Sequence, residues 1–399
     1  MPKQYSRNSE NRPQNFAGQN PNYYQNNPSF RGGYNDPYYT PDGPGYYPGN
    51  QSPRKPKKQK SKKRRIILFV LEVILLLILA TGLFVAAKFS KLKTESLDQG
   101  KIIINDGITT IDGTSTLSGY KNIALFGVDS RYGDLKTGTN SDTIMIASIN
   151  NDTKEIRLVS VYRDTYLDTT LGYYTKATET YGAGGAQAAV NMLNKNLDLD
   201  ITDYVTVNFN AVAAAVDAVG GIDLTIEENE VEHLNNYLVE TSEVLGIDSY
   251  ENIPGPGTYH VDGLHALAYC RIRYTEGNDP KRTERQRIVL TKLMDAAKSA
   301  GILQLNALVD KLFPMIYTSL TAGEILSLAT DCFSYSLGAT AGFPFNMANY
   351  DSDKSYLVPV SLTDNVSQLH SFLFNDTNYI PSNTVQQISN DIIYMTGVQ

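Results

Sequence analysis

One apolar segment, residues 66–87, interrupted only by Glu72, Thr81 and Gly82, constrains this chain more than any other feature. A helix needs about 20 residues, at a rise of about 1.5 Å each, to cross the hydrocarbon core of a bilayer. Glu72 is the one charged residue inside the segment. The segment therefore predicts a single transmembrane helix that precedes most of the chain.

The charges on either side of this segment predict its orientation. Residues 54–65 form a dense block of Lys and Arg, whereas only Lys88, Lys91 and Lys93 follow closely. The positive-inside rule then places the N-terminus in the cytoplasm and the rest of the chain outside the cell. Residues 1–65 carry a net charge of about +10 and the chain beyond the segment about −16, which is typical of a basic cytoplasmic arm and an acidic ectodomain.

Two other interpretations of this region are weaker. A cleaved signal peptide has a shorter apolar core that lies closer to the start, although Ala86-Ala87 faintly resembles a cleavage site. The basic block is also a feature of nucleic-acid binding. Beside a membrane span, topology and contact with anionic lipid explain it more simply, so we expect a membrane partner and no nucleic acid.

Composition divides the chain further. Residues 1–53 are rich in Asn, Gln, Gly, Pro and Tyr and predict a disordered tail, so residues 1–65 form a cytoplasmic tail with a basic juxtamembrane block. Residues 88–117 are predicted to be a stalk or linker, and residues 118–399 an extracellular domain. The two cysteines, Cys270 and Cys332, leave open whether they are free thiols or one disulfide.

Three short strands are predicted at the start of this domain, over residues 122–128, 143–149 and 155–161. Their connections are short, so antiparallel pairing of neighbours is expected. Asp129 then follows the first strand, Asp142 precedes the second and Arg163 follows the third. These three side chains are expected to meet at one edge of the sheet.

Helical patterns alternate with further strands along the rest of the domain. Helices are predicted over 185–196, 210–219 and 279–300, and strands over 204–209 and 222–226. Asp262 is a predicted N-cap, and Thr321 and Glu324 form a predicted capping box. Strands interleaved with helices favour an α/β or α+β layered domain with a central sheet.

The residues that could bind or react with a ligand are mainly cationic. The chain has no GxxxxGK[ST] loop, no HExxH and no GxSxG, and its four histidines show no clustered metal spacing. Arginine binds phosphate well because its planar fork matches two phosphate oxygens. The candidate residues for such a site are Arg163, Arg271, Arg273, Arg282, Arg285, Gln286 and Arg287.

These candidates also have simpler explanations. A solvated helix whose arginines pair with Asp279 and Glu284 would show the same pattern. Asp129 and Asp142, taken singly, are equally typical of turn or cap residues. Taken together at one edge they favour a Mg²⁺ site, because that ion accepts one or two carboxylates with phosphate oxygens and water.

Several motifs, in order, resemble those of the LytR-CpsA-Psr family of bacterial envelope enzymes. The likeness covers the order of tail, span and ectodomain and roughly residues 118–300. The motifs are Gly127-Val128-Asp129-Ser130-Arg131, Ser141-Asp142-Thr143, Ser160-Val161-Tyr162-Arg163-Asp164-Thr165, Gly184-Gly185, the block 262–273 and the block 282–286.

The resemblance implies a central mixed sheet between helical layers and a deep apolar pocket for a prenyl tail. It implies that Asp129 and Asp142 are associated with Mg²⁺ (or Mn²⁺). It further implies that the pyrophosphate site consists of Arg163, Lys176, Arg271, Arg273, Arg282, Gln286 and the acidic Asp279. Of these, Asp129, Asp142, Arg163 and Arg271 are the expected catalytic residues.

The activity implied is that of a phosphotransferase. Such enzymes transfer an anionic glycopolymer, such as teichoic acid or capsular polysaccharide, from a polyprenyl pyrophosphate carrier to peptidoglycan in a Gram-positive type of cell envelope. Asp142 and Asp164 are both candidates for the general base. Two alternatives are a non-catalytic polyprenyl-phosphate receptor that regulates the envelope and a polyprenyl-pyrophosphate pyrophosphatase.

The chain departs from the family pattern at two places. Tyr162 stands where the family usually has proline, and the stretch 278–282 lacks the glycine that commonly precedes its last arginine. Both departures lie beside the expected site. We expect them to affect loop geometry and substrate choice more than the class of reaction.

Overall fold

The computed structural model describes residues 62–108, 115–128, 135–273 and 278–399, without the side chains of 62–65 and 278. The predicted disordered tail therefore lies largely outside the described residues. Helix α1 (Lys62–Phe89) contains the apolar segment Ile66–Phe89, which is long and apolar enough to cross a membrane. Its large apolar side chains are mostly exposed, as expected of a helix that is covered by lipid.

A mixed sheet forms the centre of the domain that follows α1. Over the described ranges it has seven strands in the order β1-β10-β7-β2-β3-β4-β11. These strands are β1 (Lys93–Thr94), β2 (Tyr120–Val128), β3 (Ser141–Asn150), β4 (Glu155–Val161), β7 (Asp203–Asn208), β10 (Ile316–Thr318) and β11 (Ser336–Phe343).

Three two-stranded sheets complete the strands of the described chain. They are β5 (Tyr166–Asp168) with β6 (Tyr174–Lys176), β8 (Ile222–Ile226) with β9 (Gly257–Val261), and β12 (Met347–Asp351) with β13 (Ser355–Pro359). Each pairs antiparallel.

Helices cover both faces of the sheet. They are α2 (Ala177–Leu197), α3 (Phe209–Val219), α4 (Glu228–Leu245), α5 (Gly263–Arg271), α6 (Asn278–Ser299), α7 (Ile302–Leu312), α8 (Ala322–Thr330), α9 (Leu362–Phe374) and α10 (Asn383–Thr396). One core packs the sheet against α2, α9 and α10, and another packs α3, α4, α5 and α6 together. The predicted layered architecture, a central mixed sheet flanked by helices, is confirmed.

The register of the strands brings the strand ends that carry the predicted site residues to one edge of the sheet. β2 pairs antiparallel with β3, and β3 with β4, as the short connections predict. The end of β2 at Val128 lies opposite Ser141 at the start of β3, and Ser160 near the end of β4 lies opposite Met145. β7 runs parallel to β2, so Asn208 at its end also reaches this edge.

Residues 88–117, assigned from sequence to a linker, include β1 and several buried side chains. β1 pairs parallel with β10. Leu97, Ile108 and Leu117 are buried in the core beside the sheet. The helix predicted over 185–196 begins earlier, at Ala177, and bends at Gly185, whose φ of 65° lies in the left-handed region that favours glycine.

Candidate active site

The sheet edge carries an ion pair between two of the predicted site residues. Asp142 is the second residue of β3, and Arg163 follows the end of β4. The Nη1 atom of Arg163 donates to Oδ1 of Asp142 at 2.7 Å. The expected meeting of Asp142 and Arg163 is confirmed. Asp129 lies among residues 129–134, outside the described part of the chain, so its place at this edge stays a prediction.

Two further guanidiniums, those of Arg271 and Arg273, lie at and just beyond the C-terminal end of helix α5. Nη2 of Arg273 lies 3.7 Å from Oδ2 of Asp142. Arg271 is the last residue of α5, and its guanidinium donates to Thr241 Oγ1 at 3.0 Å and pairs with Glu240 Oε1 at 2.8 Å. Burial of the apolar face of α5 fixes the end of the helix, and so directs both arginines toward the same cavity.

Helix α6 supplies a buried arginine–aspartate pair. Nη2 of Arg282 lies 2.9 Å from Asp279 Oδ1 and donates to the main-chain oxygen of Asp142, also at 2.9 Å. Arg282 is only 2% exposed. Burial raises the pKa of the Asp279 carboxyl, and the nearby Arg282 and Arg163 oppose this rise without cancelling it. Oδ2 of Asp279 is buried without a hydrogen-bond partner among the described atoms.

Lys176 joins the cluster through a second carboxylate. Its Nζ lies 2.9 Å from Oδ1 of Asp164, whose Oδ2 lies 3.6 Å from Nε of Arg163. Burial lowers the pKa of Arg163, but the charge and hydrogen bond of Asp142, with Asp164 and Asp279, raise it overall. Asp142, Arg163, Asp164 and Lys176 therefore hold one another in fixed positions.

The cationic cluster lines a polar cavity of about 330 Å³. Its walls include Asp142, Arg163, Phe209, Tyr237, Glu240, Cys270, Arg271, Arg273, Arg282 and Gln286. Of the predicted site residues in the described chain, Lys176 and Asp279 do not line it and contact its arginines only through carboxylate pairs. Gln286 accepts a hydrogen bond from Thr143 at 3.0 Å, which fixes its side chain between α6 and the sheet.

An apolar cavity of about 220 Å³ adjoins this polar one. It lies between the sheet and helices α3, α5 and α6, and its lining includes Met145, Val207, Leu267 and Leu290. The two cavities share Phe209, Cys270 and Gln286 as lining residues. The arrangement therefore offers an anion-binding mouth above an apolar interior, which suits a ligand with a charged head and a hydrocarbon tail.

Several wall residues escaped the sequence analysis. Phe209 and Tyr237 each lie 5.7 Å from the Arg271 guanidinium, measured to the ring centre, and so pack against its cation. Glu240 and Thr241 belong to α4, for which the sequence offered no motif. Cys270 is a buried free thiol whose pKa burial raises to about 12, so it acts as an apolar wall. Cys332 is also free.

Two of the candidate arginines, Arg285 and Arg287, do not line the polar cavity. Nε of Arg285 donates to Glu230 Oε1 at 2.7 Å in a buried pair that joins α6 to α4, so the expectation that Arg285 lies beside Arg282 at the site is wrong. Arg287 is buried against Tyr162, the residue that replaces the usual proline. The Tyr162 hydroxyl occupies the space that a Cβ on Gly342 would need.

Comparison with known proteins agrees with this geometry. The model of the LytR_cpsA_psr family matches residues 83–354. Biofilm regulatory protein A of Streptococcus mutans is 32% identical over 191 residues, which are 43% of this chain and 43% of that protein. Polyisoprenyl-teichoic acid–peptidoglycan teichoic acid transferase TagU of Oceanobacillus iheyensis is 29% identical over 218 residues, 53% of this chain and 62% of that one. The chain thus spans about half the length of these relatives.

Solved structures share the fold. The crystal structure of Bacillus subtilis TagT superimposes with a TM-score of 0.53 at 20% identity and covers 71% of this chain and 100% of its own. Protein gbs0355 of Streptococcus agalactiae gives a TM-score of 0.56 at 21% identity, with coverages of 67% and 90%. Because the family match spans residues 83–354, more than half of the chain and all of the described cationic site, this chain belongs to the LytR_cpsA_psr family.

Proposed function

We propose that this protein transfers an anionic glycopolymer from a polyprenyl pyrophosphate carrier to peptidoglycan. One observation carries the proposal: a mouth with four guanidiniums opens onto an apolar cavity through shared wall residues. A polyprenyl pyrophosphate has both halves that such a site recognises. The names of relatives such as TagU of Oceanobacillus iheyensis support the same reaction.

The transfer joins an acceptor hydroxyl to the phosphorus on the sugar side of the pyrophosphate. The P–O bond to the bridging oxygen breaks, and polyprenyl phosphate leaves with its electron pair. Arg163, Arg271, Arg273 and Arg282 bind and orient the phosphate oxygens and stabilise the charge that develops on them. Asp142 lines the cavity and Asp164 is not among its lining residues, so Asp142 is better placed to accept the hydroxyl proton.

A divalent cation, Mg²⁺ or Mn²⁺, is part of this proposal. Mg²⁺ needs only one or two protein carboxylates when phosphate oxygens and water complete its shell. Asp142 fits that role at the mouth of the cavity, with Asp129 as its expected partner. The buried Oδ2 of Asp279, unpartnered among the described atoms, also fits a nearby positive ligand. When bound, the ion would neutralise part of the pyrophosphate charge.

Membrane attachment is also part of the proposal. Helix α1 is compatible with a single-pass anchor. We propose that its N-terminus is cytoplasmic and that the ectodomain faces the wall, where carrier lipid and peptidoglycan meet. Phe89 at the end of α1 packs on Phe313, with ring centres 5.4 Å apart, and Lys88 and Lys91 pair with Asp310.

This contact is close to the proposed site. Phe313 shortly precedes β10, whose first residue Ile316 pairs with Val207 of β7. Two residues after Val207 the chain reaches Phe209, which both cavities share. The anchor therefore leaves the domain at the edge of the sheet that carries the site.

Transfer is tested with purified full-length protein, lipid-linked glycan and a peptidoglycan acceptor. Arg271→Ala and Asp142→Asn are each expected to lower turnover by roughly 10²-fold or more, as is typical when one charge-stabilising group is lost. Lys281→Ala is the matched control, because Lys281 lies on α6 with a half-exposed side chain that pairs with Glu284 and does not line the cavity. Unchanged turnover in both site variants would refute the assignment.

The same assay separates the alternatives. A pyrophosphatase would transfer the phosphoryl group to water, so ¹⁸O-labelled water would label the phosphate product, whereas transfer leaves it unlabelled. A receptor that signals through its tail would lose its output on deletion of residues 1–53, whereas an enzyme keeps its activity. Chelation with EDTA should abolish turnover, and added Mg²⁺ or Mn²⁺ should restore it. Full activity after chelation would remove the metal from the proposal.

A further inference from the structure

A depression lined by tyrosines lies next to the cationic cluster. Hairpins β5–β6 and β12–β13 form it, with Glu179 of α2 at the rim, and its volume is about 370 Å³. Five tyrosines contribute to its lining: Tyr166, Tyr173, Tyr174, Tyr350 and Tyr356.

The aromatic rings form a connected surface. Tyr166 stacks on Tyr174 with ring centres 5.9 Å apart and meets Tyr356 edge-on at 5.0 Å. Tyr350 lies 6.2 Å from Tyr356. Tyr173, at the tip of the first hairpin, is 45% exposed. Tyr356 is buried behind the group, whereas Tyr173 and the partly exposed Tyr166, Tyr174 and Tyr350 present ring surface to solvent.

Polar side chains on the rim are held in place. Lys354 Nζ donates to Glu179 Oε1 at 2.6 Å, and Thr175 Oγ1 donates to the other carboxylate oxygen at 3.1 Å. The Tyr356 hydroxyl donates to Asp353 Oδ1 at 2.8 Å. Ordered donors and acceptors thus surround the aromatic faces.

The depression borders the cationic cluster at Lys176. Lys176, which pairs with Asp164, lies 5.7 Å from the centre of the Tyr356 ring. Register places Tyr166 opposite Lys176 across β5 and β6, so both share one face of that hairpin. The main-chain nitrogen of Leu357 donates to the oxygen of Asp164 at 2.9 Å, which fixes β13 beside the residue that follows Arg163.

We propose that this tyrosine depression binds a pyranose sugar unit whose phosphate-bearing or phosphate-accepting end reaches the arginines. A pyranose has a face of C–H groups that packs on an aromatic ring and a rim of hydroxyls that require donors and acceptors. Both kinds of partner are present here, beside Lys176 of the cluster. The inference rests on the proposed function, and the sugar belongs either to the lipid-linked donor or to the glycan acceptor.

Binding of three probes to the full-length protein in neutral lipid nanodiscs tests the proposal. The probes are polyprenyl pyrophosphate without sugar, the same lipid with one N-acetylhexosamine, and a soluble peptidoglycan tetrasaccharide. Tyr173→Ala with Tyr350→Ala should weaken at least one sugar-bearing probe by about five- to tenfold, because stacking on each ring is lost. Binding of the bare lipid should change by less than about twofold.

Control and supporting variants keep the result interpretable. Tyr394→Ala removes a tyrosine that is 90% exposed and does not line the depression, so it should leave all three affinities unchanged. Lys354→Gln and Tyr173→Ala alone change exposed positions and should each weaken the same probe as the double variant.

The outcomes separate the two sources of sugar. Loss confined to the sugar-bearing lipid assigns the depression to the donor, and loss confined to the tetrasaccharide assigns it to the acceptor. Unchanged affinity for both, or equal weakening of the bare lipid, overturns the inference. If the wild-type protein fails to bind the bare lipid, the proposed function fails instead, and the tetrasaccharide arm still decides the role of the tyrosines.

Discussion

Neighbouring arginines of helix α6 have different tasks. Arg282 lines the polar cavity and holds Asp279 and the main chain of Asp142. Arg285, three residues later, pairs with Glu230 in the interior, and its Nη1 also donates to the carbonyl of Ile272 at 3.2 Å. Three residues rotate a helix by about 300°, so Arg285 points about 60° away from Arg282 and reaches the interior next to α4 instead of the cavity.

The buried pair of Arg285 and Glu230 is expected to be essential for stability. Arg285→Met leaves a buried carboxylate uncompensated and should lower the free energy of unfolding by about 3–5 kcal/mol in urea titrations. Adding Glu230→Gln should recover a large part of this loss, because no charge is then left alone. Lys281→Met, which removes an exposed partner of Glu284, should cost less than about 1 kcal/mol. Equal losses in the two single variants would contradict this view.

His370 is expected to make stability sensitive to acid. It is fully buried, stacks on Tyr379 with ring centres 3.5 Å apart, and its Nε2 lies 3.0 Å from the carbonyl of Leu197. Its Nδ1 has no hydrogen-bond partner among the described atoms. Burial, the largest effect, lowers the pKa of His370, so the folded protein keeps the neutral form while the unfolded chain binds a proton below a pH of about 6.5.

Because the unfolded state then binds more protons, stability falls as pH drops through about 6.5. Between pH 7 and 5.5 the wild type should lose about 1 kcal/mol more than His370→Phe, measured by urea titration. His260 and His265 act in the opposite sense, because hydrogen bonds to Asp223 and Asp262 raise their pKa values. They are present in both proteins, so the difference reports His370. Parallel pH profiles would show that His370 does not titrate as expected.

At the scale of elements, close packing of α3 on α5 positions the site. A Cβ on Gly263 would overlap the carbonyl group of Ala213, and the Gly263 nitrogen donates to Asp217 Oδ1 at 2.7 Å. Asp262 caps the same helix by accepting from the His265 nitrogen, as the sequence predicts. α5 ends at Arg271, so any displacement at its start is transmitted to the cavity.

Gly263→Ala is therefore expected to destabilise the fold by about 1–3 kcal/mol, because the two helices must separate. The measurement is the free energy of unfolding, with turnover as a second readout that should also fall. Gly323→Ala is the matched control in helix α8, where the nearest atom to the new Cβ is 3.9 Å away. That control should be neutral or slightly stabilising, since alanine favours a helix. An unchanged stability for Gly263→Ala would refute the packing argument.

The strands were easier to predict than the helices and their partners. Predicted strands at 122–128, 143–149 and 155–161 match β2, β3 and β4 within a few residues, because buried apolar runs bounded by turns are local signals. The start of α2 was missed since Gly182, Gly184 and Gly185 weaken a helical pattern. Tertiary contacts compensate there: Tyr181 is buried and its hydroxyl donates to the carbonyl of Leu135 at 2.6 Å.

At the scale of the whole molecule, the position of helix α1 relates the proposed membrane anchor to the site. Contacts of α1 with Asp310 and Phe313 hold its end beside β10 and the edge that leads to Phe209. A flexible insertion of about 12 Gly and Ser residues after Ser90 would let the domain move by roughly 20 Å relative to helix α1. Turnover on a bilayer-resident donor should then fall several-fold, whereas turnover on a short-chain soluble donor should stay unchanged.

The same insertion at position 45 of the tail is the control and should affect neither donor. A comparable loss with both donors would mean that the insertion damages the fold. Turnover that stays at the wild-type level with both donors would show that the proposed placement at the membrane contributes nothing. The ratio of the two activities is the quantity to compare, because it cancels differences in protein yield.

The sequence alone determined the apolar anchor segment, the three strands of the functional edge and the arginine-rich chemistry of the site. Each of these depends on composition or periodicity within a short stretch of chain. Only the tertiary structure decided that β7 pairs parallel with β2 and β11 with β4. It also decided that Arg285 pairs with Glu230 away from the site, and that the two cavities share Phe209 and Cys270. These features depend on residues far apart in sequence, whose meeting is fixed by packing of the whole domain.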